Sequence, residues 1–251
     1  MTKTLLMIHG VGCGGDAWDV MRPKFESAGW ECETPTLFPD LRTIEKPPEG
    51  ISRLKLQDYI DEMSLRCQSI EKATGHKPAV IGHSMGGLIA QKLTEAGLVS
   101  RAVYLTPAQP KDCAQIGLPV LFTFANVILS GNRKKPHKVW KTGFKWGVLN
   151  AVPKSRHDEI YAGARWDSGQ VYGDLQDGLE LDVEKITVPT LTIAATKDRA
   201  TLAKAVRKLG EKLKGATVPG EFREYPDNAH WIVDEPGTDK VTADIISWLD
   251  G

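Results

Sequence analysis

Residues 78–88 read Pro-Ala-Val-Ile-Gly-His-Ser-Met-Gly-Gly-Leu. A short apolar run ends at Gly82, and a helical pattern begins after Gly86. Ser84 has glycine at both second neighbours, and the missing side chains let two backbone segments approach closely at a strained turn between a strand and a helix. The free N–H groups of the following helix point towards the serine hydroxyl. We therefore predict that Ser84 is a nucleophile; the alternative is a glycine-rich turn with an incidental serine.

The rest of the chain alternates apolar, β-rich runs with helical patterns. The runs that predict strands lie at 4–8, 30–34, 79–82, 102–105, 188–196 and 222–225. The patterns that predict helices lie at 16–28, 56–73, 87–96, 200–213 and 240–249. This alternation predicts an α/β fold with a mostly parallel central sheet of about six strands flanked by helices. Functional residues gather at the carboxyl ends of such strands, where Ser84 falls.

The stretch between two of these strands breaks the alternation. We predict a core formed by residues 1–106 and 183–251, with residues 107–182 inserted as a helical cap. Residues 118–129 are almost entirely apolar, which favours a lid whose underside forms a substrate pocket over a plain helical insertion. Residues 131–156 contain eight lysines and arginines and no acidic residue. Such a run is more typical of a solvated face than of a site for an anionic partner.

Bulk composition limits the classes of partner. Lys+Arg and Asp+Glu are both 32, so the formal net charge is zero and nucleic acid is not an expected partner. No apolar run approaches the roughly 20 residues of a membrane helix, so we expect no stable membrane insertion. A strand starts almost at once, so we expect no signal peptide. The four cysteines are scattered, lack metal-ligand spacing and are expected to be reduced thiols. We therefore expect a cytoplasmic protein that needs no metal or other cofactor, in an oligomeric state that the sequence leaves open.

A serine nucleophile needs a base and a group that orients the base. His230 follows the last predicted strand, and Asp198 follows the strand before it. The order Ser84, Asp198, His230 along a parallel sheet predicts a catalytic triad. Asp198 has an alternative role as the cap of the next helix, and Asp112 is a second candidate for the acid. Two backbone N–H groups should hold an oxyanion, one from Met85 and one from the glycine-rich loop at residues 9–15.

With these pieces in place, the chain resembles the α/β-hydrolase superfamily over essentially its whole length. The resemblance rests on His9-Gly10, the turn at residues 82–86, Asp198 and His230. It implies Val11 as the second oxyanion donor beside Met85. The chain begins at what is usually the third strand of the family, which is why we expect about six strands. The cap matches no single substrate class.

The resemblance and the triad favour a serine carboxylesterase that acts on a small hydrophobic ester through an acyl-enzyme. A C–C bond hydrolase, a lactonase or a hydroxynitrile lyase uses the same triad on related scaffolds and is the alternative. A non-catalytic small-molecule receptor is a third possibility from a different class. We expect His9, Gly10, Cys13 and Trp231 to contact the substrate, because they lie beside the catalytic residues in sequence.

Overall fold

The computed structural model of the chain describes residues 3–47 and 49–251. Its centre is a parallel sheet of six strands: β1 (Lys3–Ile8), β2 (Trp30–Glu33), β3 (Ala79–His83), β4 (Arg101–Leu105), β7 (Thr190–Ala195) and β8 (Glu221–Tyr225). Their order across the sheet is β2-β1-β3-β4-β7-β8. The predicted α/β architecture and strand number are confirmed.

The central strands are buried on both faces. Leu5 and Met7 of β1 pack into one apolar cluster, while Leu6 and Ile8 pack into a second cluster on the opposite face. Alternate side chains of a strand point to opposite faces, so a continuous apolar run such as β1 requires cover on both sides. Helices supply that cover: α1 (Arg22–Ser27), α2 (Leu56–Thr74), α3 (Met85–Glu95), α9 (Ala203–Leu213) and α10 (Thr238–Asp250).

One predicted helix is divided in two. The sequence predicts a helix over 16–28, but the structure has a 3₁₀ turn at Gly15–Trp18 and then α1, which begins at Arg22. Pro23 lies in the first turn of α1, where its missing N–H costs nothing, whereas in the middle of a helix it would break a hydrogen bond. The proline therefore sets where this helix begins.

Residues 107–182, which we call the inserted segment, connect the neighbouring strands β4 and β7. The segment contains α4 (Leu118–Thr123), α5 (Ala125–Ser130), β5 (Pro136–His137), α6 (Lys141–Gly143), a π-helical turn (Phe144–Val148), α7 (His157–Ala162), β6 (Asp167–Ser168) and α8 (Gly169–Asp177). The short strands β5 and β6 pair antiparallel. None of the helices in the described part of the chain is both long and apolar enough to cross a bilayer.

Candidate active site

Ser84 lies in the turn between β3 and α3, with backbone angles φ 56° and ψ −119°. A positive φ at a residue other than glycine is strained, and such strain persists only where the surroundings hold it. The neighbouring glycines explain how the turn forms. A Cβ atom on Gly82 would lie 2.1 Å from the carbonyl oxygen of Gly86, and one on Gly86 would lie 2.1 Å from the carbonyl oxygen of Ile8. Only glycine allows these backbone contacts.

The structure brings Ser84, His230 and Asp198 together at the carboxyl ends of the strands. The Ser84 hydroxyl oxygen lies 3.1 Å from His230 Nε2. On the other side of the ring, His230 Nδ1 lies 2.8 Å from Asp198 Oδ2. Because a carboxylate only accepts, Nδ1 carries the proton, and Nε2 is left to accept from the serine O–H. All three side chains are buried.

Asp198 makes the contacts of both roles that the sequence left as alternatives. Its Oδ1 accepts the backbone N–H groups of Ala200 and Thr201 at 2.7 and 2.8 Å, so it caps the turn that precedes α9. Its Oδ2 faces His230 and also accepts the hydroxyl of Thr201 at 2.7 Å. The cap thus fixes the carboxylate in the orientation that the imidazole needs. The second candidate, Asp112, lies at the surface, ion-paired with Lys212, and does not join this cluster.

Two further side chains, which the sequence did not single out, hold the loop that carries His230. His83 Nε2–H donates to the carbonyl oxygen of His230 at 2.8 Å. Burial lowers the pKa of His83 to about 3, so its ring stays neutral. Glu235, also buried, accepts the N–H of Ala229 and the amide of Asn228 at 3.0 Å or less. The loop that carries His230 is therefore held from two directions by buried polar groups.

The loop after β1 packs against the nucleophile. A Cβ atom on Gly10 would lie 3.1 Å from Ser84 Cβ, so this loop passes directly beside the serine. Met85 opens α3, and its N–H is among those without an acceptor inside the helix. Within residues 3–47 and 49–251, the N–H of Val11 has no hydrogen-bond acceptor either. Val11, Ser84 and Met85 all border one cavity, as an oxyanion site requires.

The cavity beside Ser84 has a volume of about 420 Å³. The inserted segment supplies much of its wall through apolar residues of α4, α5 and the junction between them: Val120, Leu121, Phe124, Val127 and Ile128. Tyr172 and Leu175 of α8, Ile116 and Leu202 add to the apolar part. Gln109, Gln115 and Asn132 contribute polar groups. The volume falls in the range of small-molecule sites.

The four residues expected to contact the substrate do not border this cavity. Cys13 and Trp231 border a second, smaller cavity. His9 is buried, with Nδ1–H donating to the carbonyl of Gly10 and Nε2 accepting the N–H of Leu37. Burial lowers the pKa of His9 to about 3. Nearness in sequence to Ser84 or His230 therefore does not place a residue on the wall of this cavity.

The basic run at residues 131–156 is partly neutralised by acidic residues from outside the run. Lys141 and Lys145 both pair with Asp158, and Arg133 pairs with Asp177. These contacts favour the interpretation of the run as a solvated face. No cluster of three or more histidines, cysteines or carboxylates suited to a metal ion occurs in the part of the chain that the structure describes.

A parallel sheet with a serine, a histidine and an aspartate at its strand ends defines a hydrolase of the α/β class. The sequence matches the alpha/beta hydrolase family over residues 5–242, and the chain belongs to that family. Among curated proteins it is similar to the magnesium-chelatase 30 kDa subunit of Rhodobacter capsulatus. The two are 26% identical over 276 residues, which cover 98% of this chain and 87% of that protein.

Solved structures show the same fold. The Paleococcus ferrophilus monoacylglycerol lipase superposes with a TM-score of 0.71 at 20% identity, over 99% of this chain and 95% of that one. Tomato methylketone synthase I, complexed with 2-tridecanone, superposes with a TM-score of 0.72 at 17% identity, over 100% of this chain and 98% of that one. At such low identity, these likenesses establish the architecture and leave the substrate to be argued from the site.

Proposed function

We propose that this protein is a serine carboxylesterase that cleaves esters with an apolar acyl or alcohol part. The observation that carries the proposal is the relay from Ser84 Oγ to His230 Nε2 at 3.1 Å and from His230 Nδ1 to Asp198 at 2.8 Å, placed on the wall of an apolar cavity. The relay has the donor and acceptor order that a serine nucleophile requires.

In the first half of the reaction, His230 takes the proton of the Ser84 hydroxyl while its oxygen attacks the ester carbonyl. The carbonyl oxygen becomes an oxyanion, which the N–H groups of Val11 and Met85 stabilise. Asp198 stabilises the imidazolium that forms. His230 then gives its proton to the leaving alcohol, and an acyl group remains on Ser84.

In the second half, water enters the position that the alcohol has left. His230 removes a proton from the water as its oxygen attacks the acyl carbonyl, and the same N–H groups hold the second oxyanion. Collapse of this intermediate returns the proton to Ser84 and releases the carboxylic acid. The triad is restored, and the chemistry draws only on groups of the protein, the ester and water.

The cavity supports an apolar substrate. Its wall in α4 and α5 is formed by aliphatic and aromatic side chains, and burial of apolar ligand surface contributes about 25 cal/mol per Å². The solved structures of similar fold include a monoacylglycerol lipase and a methylketone synthase complexed with 2-tridecanone. Their names point to substrates or ligands with apolar chains, in agreement with the lining of this cavity.

The test is hydrolysis of p-nitrophenyl esters of graded acyl length by the wild-type protein and by Ser84→Ala. We expect turnover that falls by more than about 10³-fold in Ser84→Ala, because the nucleophile is lost. Ser27→Ala is the matched control, since Ser27 is an exposed serine whose hydroxyl donates only to a neighbouring carbonyl. Full activity in Ser84→Ala would overturn the proposal.

The same triad also suits a C–C bond hydrolase, a lactonase or a hydroxynitrile lyase. A wild-type protein that turns over no ester, but whose Ser84 reacts with a fluorophosphonate probe, would favour these alternatives. Failure of both tests would favour a non-catalytic role. In that case we would first look for a role within a multisubunit assembly, because the chain is similar to the magnesium-chelatase 30 kDa subunit.

A further inference from the structure

A buried ion pair lies behind the loop that carries the proposed oxyanion donor. Arg42 Nη1 donates to Asp167 Oδ2 at 2.7 Å, and Nη2 donates to Asp167 Oδ1 at 3.4 Å. The side chains are 1% and 0% exposed. Tyr59 of α2 donates its hydroxyl to Asp167 Oδ1 at 2.6 Å. Arg42 lies in the core, and Asp167 belongs to the inserted segment, so the pair joins two distant parts of the chain.

The presence of this buried ion pair is not explained by a gain in folding stability. Burial alone would raise the pKa of Asp167, but the Arg42 charge and the hydrogen bonds from Tyr59 and Gly12 outweigh it and hold the pKa below its usual value. Taking two charges out of water costs several kcal/mol per ion, and an apolar replacement is often as stable. A buried pair that adds little net stability is a candidate for fixing a particular geometry.

The geometry it fixes is that of the loop at residues 10–13. Asp167 Oδ2 accepts the N–H of Gly12 at 2.8 Å, and Arg42 donates to the carbonyl oxygen of Cys13 at 3.4 Å. The N–H of Cys13 in turn donates to the carbonyl of Gly10 at 3.3 Å, and Gly12 has φ +70°. These are features of a type II turn, in which Gly12 supplies the positive φ. Val11 occupies the second position of that turn.

We propose that Asp167 and Arg42 are positioning residues that aim the N–H of Val11 at the oxyanion formed on Ser84. The inference rests on the proposed esterase function. The donor belongs to the Gly10–Val11 peptide, whose carbonyl oxygen accepts the N–H of Cys13. Asp167 holds the N–H of Gly12 and Arg42 holds the carbonyl of Cys13, so the turn that closes on the Gly10–Val11 peptide has little freedom to rotate. The donor is then oriented before the reaction begins, which is the condition for electrostatic stabilisation of a transition state.

The decisive variant replaces the three buried polar side chains together by apolar ones of similar size: Arg42→Met, Tyr59→Phe and Asp167→Leu. It leaves no buried charge unpaired, so it should fold, and a thermal unfolding curve checks this. It deletes the acceptor for Gly12. We expect kcat to fall about 10- to 100-fold with KM changed less than about threefold, because the lost alignment matters only in the transition state.

Two further variants separate positioning from general damage. Arg42→Lys retains a charge for Asp167 and should keep kcat within about tenfold of wild type, because the Asp167–Gly12 contact survives. Arg207→Gln with Glu224→Gln removes an exposed Arg–carboxylate pair remote from the loop and should leave kcat and KM unchanged. A rise in KM with unchanged kcat in the triple variant would overturn the proposal.

Hydrogen exchange of the backbone amides provides a measurement that does not depend on ester turnover. In the triple variant we expect the amides of Gly12 and Cys13 to exchange at least about tenfold faster than in wild type, while those of the central strand β3 remain protected. Unchanged exchange at these two amides would overturn the proposal. If the wild-type protein hydrolyses no ester, the proposed function fails, and the exchange measurement still decides whether the pair holds the turn.

Discussion

The strand-end loops that carry the proposed triad differ sharply from α4 and α5, which form the front of the inserted segment. Ser84, Asp198 and His230 are 8%, 4% and 4% exposed, and hydrogen bonds to side chains or backbone hold each of them. On α4 and α5, by contrast, Leu118 is 82% exposed and Leu129 is 85% exposed. Directional hydrogen bonds therefore fix Ser84, Asp198 and His230, whereas α4 and α5 are held by apolar packing on one side and are open to solvent on the other.

The inserted segment itself is not uniform. Its rear part is anchored to the core through Asp167, whereas its front part, α4 and α5, presents one side to the cavity and another to solvent. Changes in the triad loops should therefore abolish activity, changes in the cavity wall should redirect it, and changes on the outer face of α4 and α5 should do little. Four predictions, from the largest expected effect to the smallest, test this difference between the regions.

The largest effect is expected for Asp198→Asn. The amide still caps the following turn, but it no longer provides a carboxylate that fixes the tautomer of His230 and stabilises its charged form. We expect kcat for a p-nitrophenyl ester to fall about 10⁴-fold, as the equivalent change does in serine proteases. Asp227→Asn is the matched control, because Asp227 lies in the same region but is almost fully exposed. Equal activity of the two variants would contradict the assignment of the acid.

The next effect concerns the stability of the protein in acid, which two histidines beside Ser84 should lower. His9 and His83 are buried, and burial lowers the pKa of each to about 3, while an unfolded histidine titrates near 6.5. Below that value the unfolded chain binds protons that the folded chain does not. The free energy of unfolding should therefore fall as the pH falls from about 6.5 towards 3, by up to about 2.7 kcal/mol per pH unit for the two histidines.

Urea unfolding at several pH values measures this slope. His83→Asn keeps a donor for the carbonyl of His230 and removes one of the two titrating groups. We expect its slope to be smaller than that of wild type by up to about 1.4 kcal/mol per pH unit. A slope identical to that of wild type would mean that His83 is protonated in the folded protein.

A smaller effect is expected from the cavity wall. Phe124, between α4 and α5, lines the cavity, and Phe124→Ala enlarges it without changing Ser84, His230 or Asp198. The ratio of kcat/KM for a long acyl chain to that for acetate should rise about tenfold, the size of effect that one or two methylene groups have in an apolar pocket. A uniform loss for all chain lengths would show instead that Phe124 supports the catalytic geometry.

The smallest effect is expected on the exposed face of α4 and α5. Leu118→Ser with Leu129→Ser should change the free energy of unfolding by no more than about 1 kcal/mol and leave kcat unchanged, because both side chains are exposed in the folded chain. Leu88→Ala, at a buried position of α3, should cost about 2–5 kcal/mol. Comparable losses in urea unfolding would contradict the described burial of α4 and α5.

The sequence was most informative where function depends on local order along the chain. Ser84, Asp198 and His230 each follow a strand of the parallel sheet, so their meeting at one edge followed from strand direction alone. The close approach of Gly82 to the carbonyl of Gly86 is likewise a local property of the turn, whereas the approach of Gly86 to Ile8 depends on the neighbouring strand β1. These features need no knowledge of how distant side chains pack.

Features that depend on distant packing were not predictable. The contact of Arg42 with Asp167 joins residues 125 positions apart, and neither lies in a motif. The role of Glu235 depends on how its loop folds back on Ala229. The sequence predicted that the apolar stretch at residues 118–129 faces a pocket, and side chains of that stretch do line the cavity. Which other residues border the cavity depends on how α4 and α5 lie over the strand ends, and residues close to Ser84 and His230 in sequence, such as Trp231, do not border it.

Trapping the acyl-enzyme tests the central claim most directly. The wild-type protein is mixed with a p-nitrophenyl ester, quenched in acid during turnover and digested, and the site of acylation is located by mass spectrometry. We expect an acyl group on the peptide that contains Ser84, and neither that adduct nor turnover in Ser84→Ala. An acyl group on another residue, or undiminished hydrolysis by Ser84→Ala, would contradict it.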